Sequence, residues 1–282
     1  MKIFKILELF GSELGLLEDF DLIQSMYIRC FGSMSKTTVK RYLQFKYFPL
    51  KILGKNIIHN KILDFGCAFG GFGFMLARKF KGTVVCLYDI SEDAETRCNY
   101  IINKGKYENV TFISRDELEK ESGFTLTILT DVLEHIEDDY VVLKDIYKRT
   151  LDGGYVFIST PFYTSDSLTL DDKFHGHVRT GYDIVEIQNL LEEVGFNRII
   201  KPEKRLINSG LFLYYLDKLY QKITKLPSDP ILTFQNFRQL NIFRKTMLAL
   251  LWPIYRLMME LDIIFHGIPG DSIILLAQKK KQ

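Results

Sequence analysis

A glycine-rich segment near residue 66 constrains the fold of this chain more than any other feature. Residues 61–73 read KILDFGCAFGGFG, a short apolar run followed by glycines, and a helical pattern extends from about Phe72 to Lys79. Glycines allow a sharp turn and a close approach of a ligand to the backbone. The first turn of the following helix offers unbonded N–H groups to that ligand. Many nucleotide sites and some structural turns share such a loop, so the residues that follow are needed to identify it.

After this loop, short apolar runs alternate with amphipathic helical patterns. The predicted strands are Thr83–Tyr88, Val110–Ser114, Leu126–Leu129 and Tyr155–Ser159. The predicted helices between them are Ala94–Lys104 and Tyr140–Arg149. Nearly continuous apolar strands between amphipathic helices are typical of a parallel sheet covered on both faces. We therefore predict an α/β fold, with Asp152-Gly153-Gly154 as the turn after the second of these helices.

Four acidic residues lie at or near the carboxyl ends of the predicted strands, namely Asp64, Asp89, Asp116 and Asp131. Ligands of doubly wound sheets bind at this edge, close to the point where the strand order reverses. Taken singly, Asp89 can instead cap the next helix through Ser91, and Asp116 can be an acid in a turn. Together, the four acids predict a ligand site at one edge of the sheet.

Six segments, in this order and spacing, resemble class I S-adenosylmethionine-dependent methyltransferases. They are ILDFGCAFG (62–70), LYDIS (87–91), SRD (114–116), TDVLEHIED (130–138), GGYVFISTP (153–161) and HVRTGYDIVEIQNLLEEVGF (177–196). Within that class the chain is most similar to small-molecule enzymes related to quinone-biosynthesis methyltransferases. The resemblance implies a Rossmann-like, doubly wound and mostly parallel sheet of seven strands, the last near Ser272–Gln278, with S-adenosylmethionine as the cofactor.

The resemblance also implies which residues bind the cofactor. They are Asp64, Gly66, Cys67, Ala68, Gly70, Asp89, Ile90, Asp116 and Asp131. The methionine part would lie over residues 66–70, with Asp64 orienting the loop or the amino group of the cofactor. Asp89 would accept hydrogen bonds from both ribose hydroxyls, and Asp116 would lie beside the adenine. Most relatives have glycine at the position of Ala68, where alanine costs little if φ is negative and more if the backbone is left-handed.

Three histidines are candidate catalytic residues, namely His177, His175 and His135. A general base is needed only when the acceptor group carries a proton near neutral pH. In the relatives, the segment that contains His177 and Arg179 borders the acceptor pocket, which favours His177 or His175 as the base. The alternative is that His177 holds the loop and Arg179 pairs with a nearby acid.

A metal ion at Asp131, Glu134 and His135 is a further alternative. If the chain is helical after Asp131, the spacing places these three side chains on one face of the helix. Some quinone O-methyltransferases of the resembled class hold a divalent cation with a similar stretch, and such an ion acidifies a catechol hydroxyl. Other relatives with the same letters bind no metal and use these residues for capping and packing. The sequence-based prediction therefore includes S-adenosylmethionine and no metal.

Segments outside the resemblance suggest four parts of the chain. We predict a helical lid at 1–55, the cofactor-binding core at 56–204, a helical insert at 205–268, and the last strand with a basic tail at 269–282. The insert is rich in Leu, Met and Tyr, interrupted by Lys and Arg. We interpret it as a cap over an apolar acceptor. A surface for peripheral membrane contact and a homodimer interface are the alternatives.

Composition and loop spacing narrow the function further. The formal net charge of +2 argues against a nucleic-acid partner. Four cysteines without a CxxC pair are typical of reduced thiols, which predicts a cytoplasmic protein. The loop glycines at 66, 70, 71 and 73 do not fit the Gly-x-Gly-x-x-Gly spacing of nicotinamide dehydrogenases, so that class is disfavoured.

The predicted function is in-line methyl transfer from S-adenosylmethionine to a small-molecule acceptor. We expect a hydrophobic acceptor, or one linked to a lipid or a glycan, that is methylated on oxygen. The alternative from another class is a non-catalytic protein that binds the cofactor or serves as a scaffold.

Overall fold

The computed structural model describes residues 36–53, 60–162, 176–200, 252–254, 256–261 and 272–281, together with single positions between 13 and 29 and at 218 and 222. The chain divides into two compact units, Met1–Lys46 with Lys204–Gly270, and Tyr47–Glu203 with Asp271–Gln282. Every residue of the predicted cofactor site belongs to the second unit. The four-part division at residues 55, 204 and 268 stays a prediction.

A seven-stranded sheet forms the centre of the second unit. Its strands are β1 (Lys61–Phe65), β2 (Val84–Tyr88), β3 (Val110–Phe112), β4 (Phe124–Thr130), β5 (Thr150–Pro161), β6 (Phe196–Ile200) and β7 (Ser272–Lys279). Their order is β3-β2-β1-β4-β5-β7-β6, and neighbouring strands from β3 to β5 are parallel. Only the pairs that include β7 are antiparallel. The predicted Rossmann-like, mostly parallel sheet is confirmed.

Seven α-helices with defined bounds lie among the described residues. They are α1 (Lys36–Tyr47), α2 (Pro49–Leu53), α3 (Gly71–Lys79), α4 (Glu92–Gly105), α5 (Arg115–Lys120), α6 (Asp139–Arg149) and α7 (Ile184–Val194). Their starts follow local capping chemistry. Ser114 and Asp183 each form a capping box with the glutamate three residues later. No helix among the described residues is both long enough and apolar enough to cross a membrane.

Apolar side chains cover both faces of the sheet, as a parallel sheet requires. One cluster joins Leu129 and Ile158 of the sheet to Leu143 of α6 and Leu191 of α7, all fully or almost fully buried. A second cluster on the same face includes Leu63, Cys86, Tyr88, Ile113, Leu118 and Phe124. The opposite face buries Val85 and Leu87 of β2 next to Gly73 of α3. The sheet is therefore fixed between two helical layers, and its carboxyl edge is held in a defined position.

One predicted turn is part of a strand instead. Asp152-Gly153-Gly154 lies inside β5, where the register with β4 shifts between the pairs Phe124–Thr150 and Leu126–Tyr155. Gly153 has a φ of +80°. A Cβ on Gly154 would lie 2.8 and 2.9 Å from two backbone oxygens. The glycine pair thus lies in a bulge of the strand. Bulges and turns both favour glycine, so the sequence alone does not distinguish them.

The described helical residues of the first unit also include a buried ion pair. Lys46 Nζ lies 2.5 Å from Glu260 Oε1, and Glu260 is almost fully buried. Trp252 is likewise buried, with 2% of its surface exposed. The ion pair ties α1 to the described helical positions 256–261 within that unit.

Candidate active site

The loop between β1 and α3 is fixed by the end of β2. The backbone N–H groups of Gly66 and Cys67 both donate to the carbonyl oxygen of Tyr88, at 2.8 and 3.0 Å. Gly66 has a φ of +70°, and a Cβ at this position would overlap the side chain of Val132. Glycine is therefore required here for both its conformation and its size. The loop lies between β2 and the chain that follows β4.

Asp64 connects β1 to the first turn of α3. Its side chain is 3% exposed, and Oδ2 accepts a 2.9 Å hydrogen bond from the backbone N–H of Gly73. Burial raises the pKa of Asp64 to about 7; the bond from Gly73 opposes this shift, and the charge of Asp89 adds to it. The carboxyl group is thus poised to change charge near neutral pH. A cationic group beside it would favour the ionised form.

Asp89 holds the middle of the same loop. Its Oδ2 accepts a 2.8 Å hydrogen bond from the N–H of Ala68, and its Oδ1 accepts one of 3.0 Å from Ser91. Ser91 itself caps α4, with its hydroxyl accepting from Ala94. Ile90, the next residue in the chain, has 91% of its surface exposed.

Ala68 has a φ of +46°, in the left-handed region that non-glycine residues rarely adopt. Alanine at position 68 therefore carries the steric cost expected for a left-handed backbone. Its carbonyl oxygen accepts contacts from the thiols of Cys67 and Cys98, at 3.7 and 3.5 Å. The hydrogen bond with Cys98 and burial keep the pKa of Cys67 well above its usual range, so that thiol stays neutral. The role of Cys98 was not predicted, because no local pattern links a mid-helix cysteine to this loop.

The remaining predicted acids follow β3 and β4. Asp116 is exposed in the first turn of α5, two residues after the N-cap Ser114. Asp131 has a φ of +55°, and its N–H donates to Ser159 on β5 at 2.8 Å. Because Phe65 of β1 is opposite both Tyr88 of β2 and Leu129 of β4, the predicted cofactor residues share one edge of the sheet.

Next to this edge lies a cluster of Glu134, His135 and His177. Each residue offers one carboxylate oxygen or imidazole nitrogen, and these three atoms lie within 4.8 Å of one another. Glu134 is buried, and its Oε2 accepts a 3.1 Å hydrogen bond from the hydroxyl of Thr160. The rings of His135 and His177 meet edge to face, with centroids 4.7 Å apart.

This cluster corrects the geometry of the metal alternative. Residues Leu133–His135 form a single 3-10 turn, and Asp131 lies before it in a left-handed conformation. Asp131, Glu134 and His135 therefore do not share the face of a helix. The group able to hold a metal contains His177 in place of Asp131. His175, the third candidate base, lies outside the described residues.

Arg179 has a structural role beside the cluster. Its guanidinium bonds Asp139 Oδ2 at 2.5 Å and the carbonyl oxygen of Ile136 at 2.7 Å. The buried hydroxyl of Tyr182 donates to the same Asp139 oxygen at 2.6 Å. Burial and the neighbouring Asp139 raise the pKa of Tyr182, so its hydroxyl remains a donor. The predicted pairing of Arg179 with a nearby acid is therefore present, and the role of His177 as base or loop residue stays a prediction.

Residues 39–200, more than half of the chain, match the family model described as a methyltransferase domain. Phosphoethanolamine N-methyltransferase 1 of Arabidopsis thaliana is 26% identical over 178 residues, which cover 60% of this chain and 35% of that enzyme. N-methyltransferase 4 of Papaver somniferum is 35% identical over 92 residues, which cover 30% of this chain and 25% of that enzyme. The chain thus spans about a third of the length of the Arabidopsis relative and a quarter of that of the Papaver relative.

Two solved structures share the fold at low identity. Phosphoethanolamine N-methyltransferase 2 of Haemonchus contortus, in complex with S-adenosyl-L-methionine, has a TM-score of 0.54 and 18% identity, covering 89% of this chain and 58% of that one. A putative sarcosine dimethylglycine methyltransferase from Galdieria sulphuraria has a TM-score of 0.53 and 15% identity, covering 90% and 88%. The specific similarity to quinone-biosynthesis enzymes stays a prediction.

Proposed function

Since the chain belongs to the methyltransferase-domain family, we propose that it is an S-adenosylmethionine-dependent methyltransferase that methylates a small-molecule acceptor on oxygen. The acceptor is hydrophobic, or linked to a lipid or a glycan. The main support is the arrangement at the carboxyl edge of the sheet, where an anchored glycine loop lies beside a cluster of two imidazoles and a carboxylate.

The proposed cofactor site consists of the nine predicted residues. Asp64 and Asp89 have the clearest support. Asp64 accepts from the first turn of α3 and Asp89 from the loop, and each keeps lone pairs for a ligand. In the proposal, Asp64 stabilises the cationic methionine end of the cofactor. Asp89 accepts the ribose hydroxyls, and the exposed side chain of Ile90 packs against the adenine.

Methyl transfer from a sulfonium needs alignment more than it needs acid–base chemistry. The leaving group is neutral, so the protein must hold nucleophile, methyl and sulfur in line and exclude water. An oxygen acceptor near neutral pH also has to lose its proton. Of the candidate bases, His135 and His177 lie in the cluster. His135 Nδ1 is 3.2 Å from the carbonyl oxygen of Gly176, which favours a proton on Nδ1 and a basic lone pair on Nε2.

Nitrogen is the second candidate for the acceptor atom. The plant relatives with partial matches are named N-methyltransferases. An ammonium acceptor must lose a proton before it attacks, and a hydroxyl loses one as it attacks, so the same imidazoles would serve either group. The chemical form of the methylated product therefore distinguishes the two proposals.

The test is turnover with methyl-labelled S-adenosylmethionine and extracts enriched in lipids, glycans or small amines. Incorporation into an acid- and base-stable ether supports the oxygen proposal, whereas a methylated amine supports the second candidate. At limiting S-adenosylmethionine, Asp89→Ala should lower incorporation about 10- to 100-fold. Glu95→Gln, which changes an exposed carboxylate on α4, should leave it unchanged. Cofactor binding without incorporation in any extract would favour the non-catalytic alternative.

For residues 205–268 the proposed role is a cap over the acceptor, and peripheral membrane contact and dimerisation are the alternatives. Nearly all of that segment lies outside the described residues, and its apolar and basic composition is the support. Co-sedimentation with anionic liposomes at low salt tests the membrane surface. Sedimentation velocity of the full chain tests the dimer.

A further inference from the structure

We propose that Glu134, His135 and His177 bind one divalent transition-metal ion. The three side chains come from two separate stretches of the chain, the turn after β4 and the segment before α7. One possible ligand atom from each lies within 4.8 Å of the other two. This set differs from the one that sequence spacing suggests, because His177 takes the place of Asp131.

The types of donor atom indicate which ions fit. Two imidazoles and one carboxylate form a ligand set found at catalytic zinc sites and at non-haem iron sites. Magnesium and calcium prefer sites made of oxygen atoms. We therefore expect zinc, cobalt or iron in the divalent state to bind more tightly than magnesium.

Contacts around the cluster hold its side chains in orientations suitable for ligands. The hydroxyl of Thr160 donates to one oxygen of Glu134, and the ring of His135 bonds the carbonyl oxygen of Gly176 through Nδ1. Hydrogen bonds of this kind fix the orientation and the tautomer of metal ligands. With its proton on Nδ1, His135 has its Nε2 lone pair available for an ion.

The backbone brings the two stretches together before any ion binds. The N–H of Val178 donates to the carbonyl oxygen of Glu134 at 2.8 Å, so His177 is held next to the turn. A tetrahedral ion with bonds of about 2.1 Å needs its ligand atoms roughly 3.4 Å apart. Because the His135 ring is exposed and His177 is only partly buried, ring rotation can close the remaining gap while Glu134 stays in place.

An ion at this position would have a direct chemical consequence. A divalent cation lowers the pKa of an acceptor hydroxyl beside it. Coordination uses the same imidazole lone pairs that a general base uses, so the ion would replace that base. The binding itself is independent of the proposed acceptor, because it is measured on the protein alone.

Calorimetric titration of the chelator-treated full chain with zinc, cobalt and magnesium, without S-adenosylmethionine, tests the site. We expect one zinc or cobalt ion per chain, a visible absorption band of cobalt in a low-symmetry site, and weaker binding of magnesium. His177→Ala should lower the affinity for zinc at least tenfold, because loss of only an outer-shell partner of a ligand already costs about 10- to 100-fold. Asp131→Asn is the matched control and should leave that affinity nearly unchanged.

Three results would overturn the proposal: no saturable binding of zinc or cobalt to the folded wild-type chain, an unchanged affinity in His177→Ala, or an equal loss in Asp131→Asn. Far-UV circular dichroism and the midpoint of urea unfolding check that each variant is folded. Metal binding in a chain that transfers no methyl group would contradict the proposed function and leave the metal site standing.

Discussion

The carboxylate of Asp89 accepts a 2.8 Å hydrogen bond from the backbone N–H of Ala68, and thereby links the end of β2 to the glycine loop after β1. Its second oxygen accepts a bond from Ser91 at the start of α4. One side chain thus joins the loop, the strand and the helix. The residue proposed to bind the ribose also sets the shape of the loop beneath the cofactor.

Asp89→Ala should weaken binding of S-adenosylmethionine by about 10- to 100-fold, because charge-assisted hydrogen bonds are typically worth 1.5–3 kcal/mol. Asp89→Asn should fall between this variant and the wild type, since an amide oxygen can accept only part of the present bonds. Calorimetric titration with S-adenosylmethionine and S-adenosylhomocysteine measures both effects. Equal affinity in Asp89→Ala and wild type would contradict the proposed cofactor site.

Ala68→Gly should stabilise the protein by roughly 0.5–1 kcal/mol, because glycine removes the steric cost of a φ of +46° and loses part of that gain to chain entropy. Lys106→Gly is the matched control, since Lys106 is left-handed at the end of α4, with a φ of +52°. Both variants should raise the midpoint of urea unfolding. A lower midpoint for Ala68→Gly would show that the alanine side chain stabilises the loop.

The pH dependence of stability should contain a contribution from Asp64. Its pKa is about 7 in the folded chain and 3.8 in a model peptide, so the folded state binds more protons between these values. The free energy of unfolding therefore falls as the pH rises from about 4 to 7, and this contribution is constant above that range.

Asp64→Asn should remove this decline while its amide oxygen can still accept from Gly73. Relative to wild type, the variant should gain stability on going from pH 5 to pH 8, by up to roughly 2.5 kcal/mol. Urea unfolding at several pH values measures the difference. Parallel stability curves for the two proteins would show that Asp64 titrates normally.

Local sequence patterns predicted β1, the loop and α3 because these elements follow from neighbouring residues. An apolar run, then glycines and then a helical pattern leave few other arrangements. The capping box that starts α7 at Asp183 is also local. The glycine pair in β5 was misread, since Asp-Gly-Gly is compatible with both a turn and a bulge.

Contacts between distant residues were not predictable in the same way. His135 meets Gly176 across 41 residues, and Arg179 meets Asp139 across 40. Such pairs depend on how the segment before α7 packs on the turn after β4, and no spacing in the sequence encodes that packing. The cluster with His177 was missed for this reason, although each of its members was considered singly.

Gly73→Ala should destabilise the protein by about 1–3 kcal/mol through overpacking. A Cβ there would overlap the side chain of Leu87 and lie 3.3 Å from Asp64 Oδ2. Gly123→Ala is the control for conformation alone, because Gly123 has a φ of +76° and no atom within 4 Å of the added Cβ. Chemical unfolding should show both losses, and only Gly73→Ala should also weaken binding of S-adenosylmethionine.

Tyr182→Phe should lower the free energy of unfolding by roughly 1–2 kcal/mol and leave binding of S-adenosylmethionine unchanged. The lost hydroxyl is buried and bonds Asp139 at 2.6 Å, while Arg179 continues to pair with that acid. Because burial and Asp139 raise its pKa, the hydroxyl stays a donor at neutral and mildly alkaline pH, so the loss should be the same at pH 7 and pH 9. Tyr140→Phe, at a partly exposed position on α6, is the control and should change stability little. Weaker cofactor binding in Tyr182→Phe would show that the Arg179–Asp139 pair also positions the cofactor edge of the sheet.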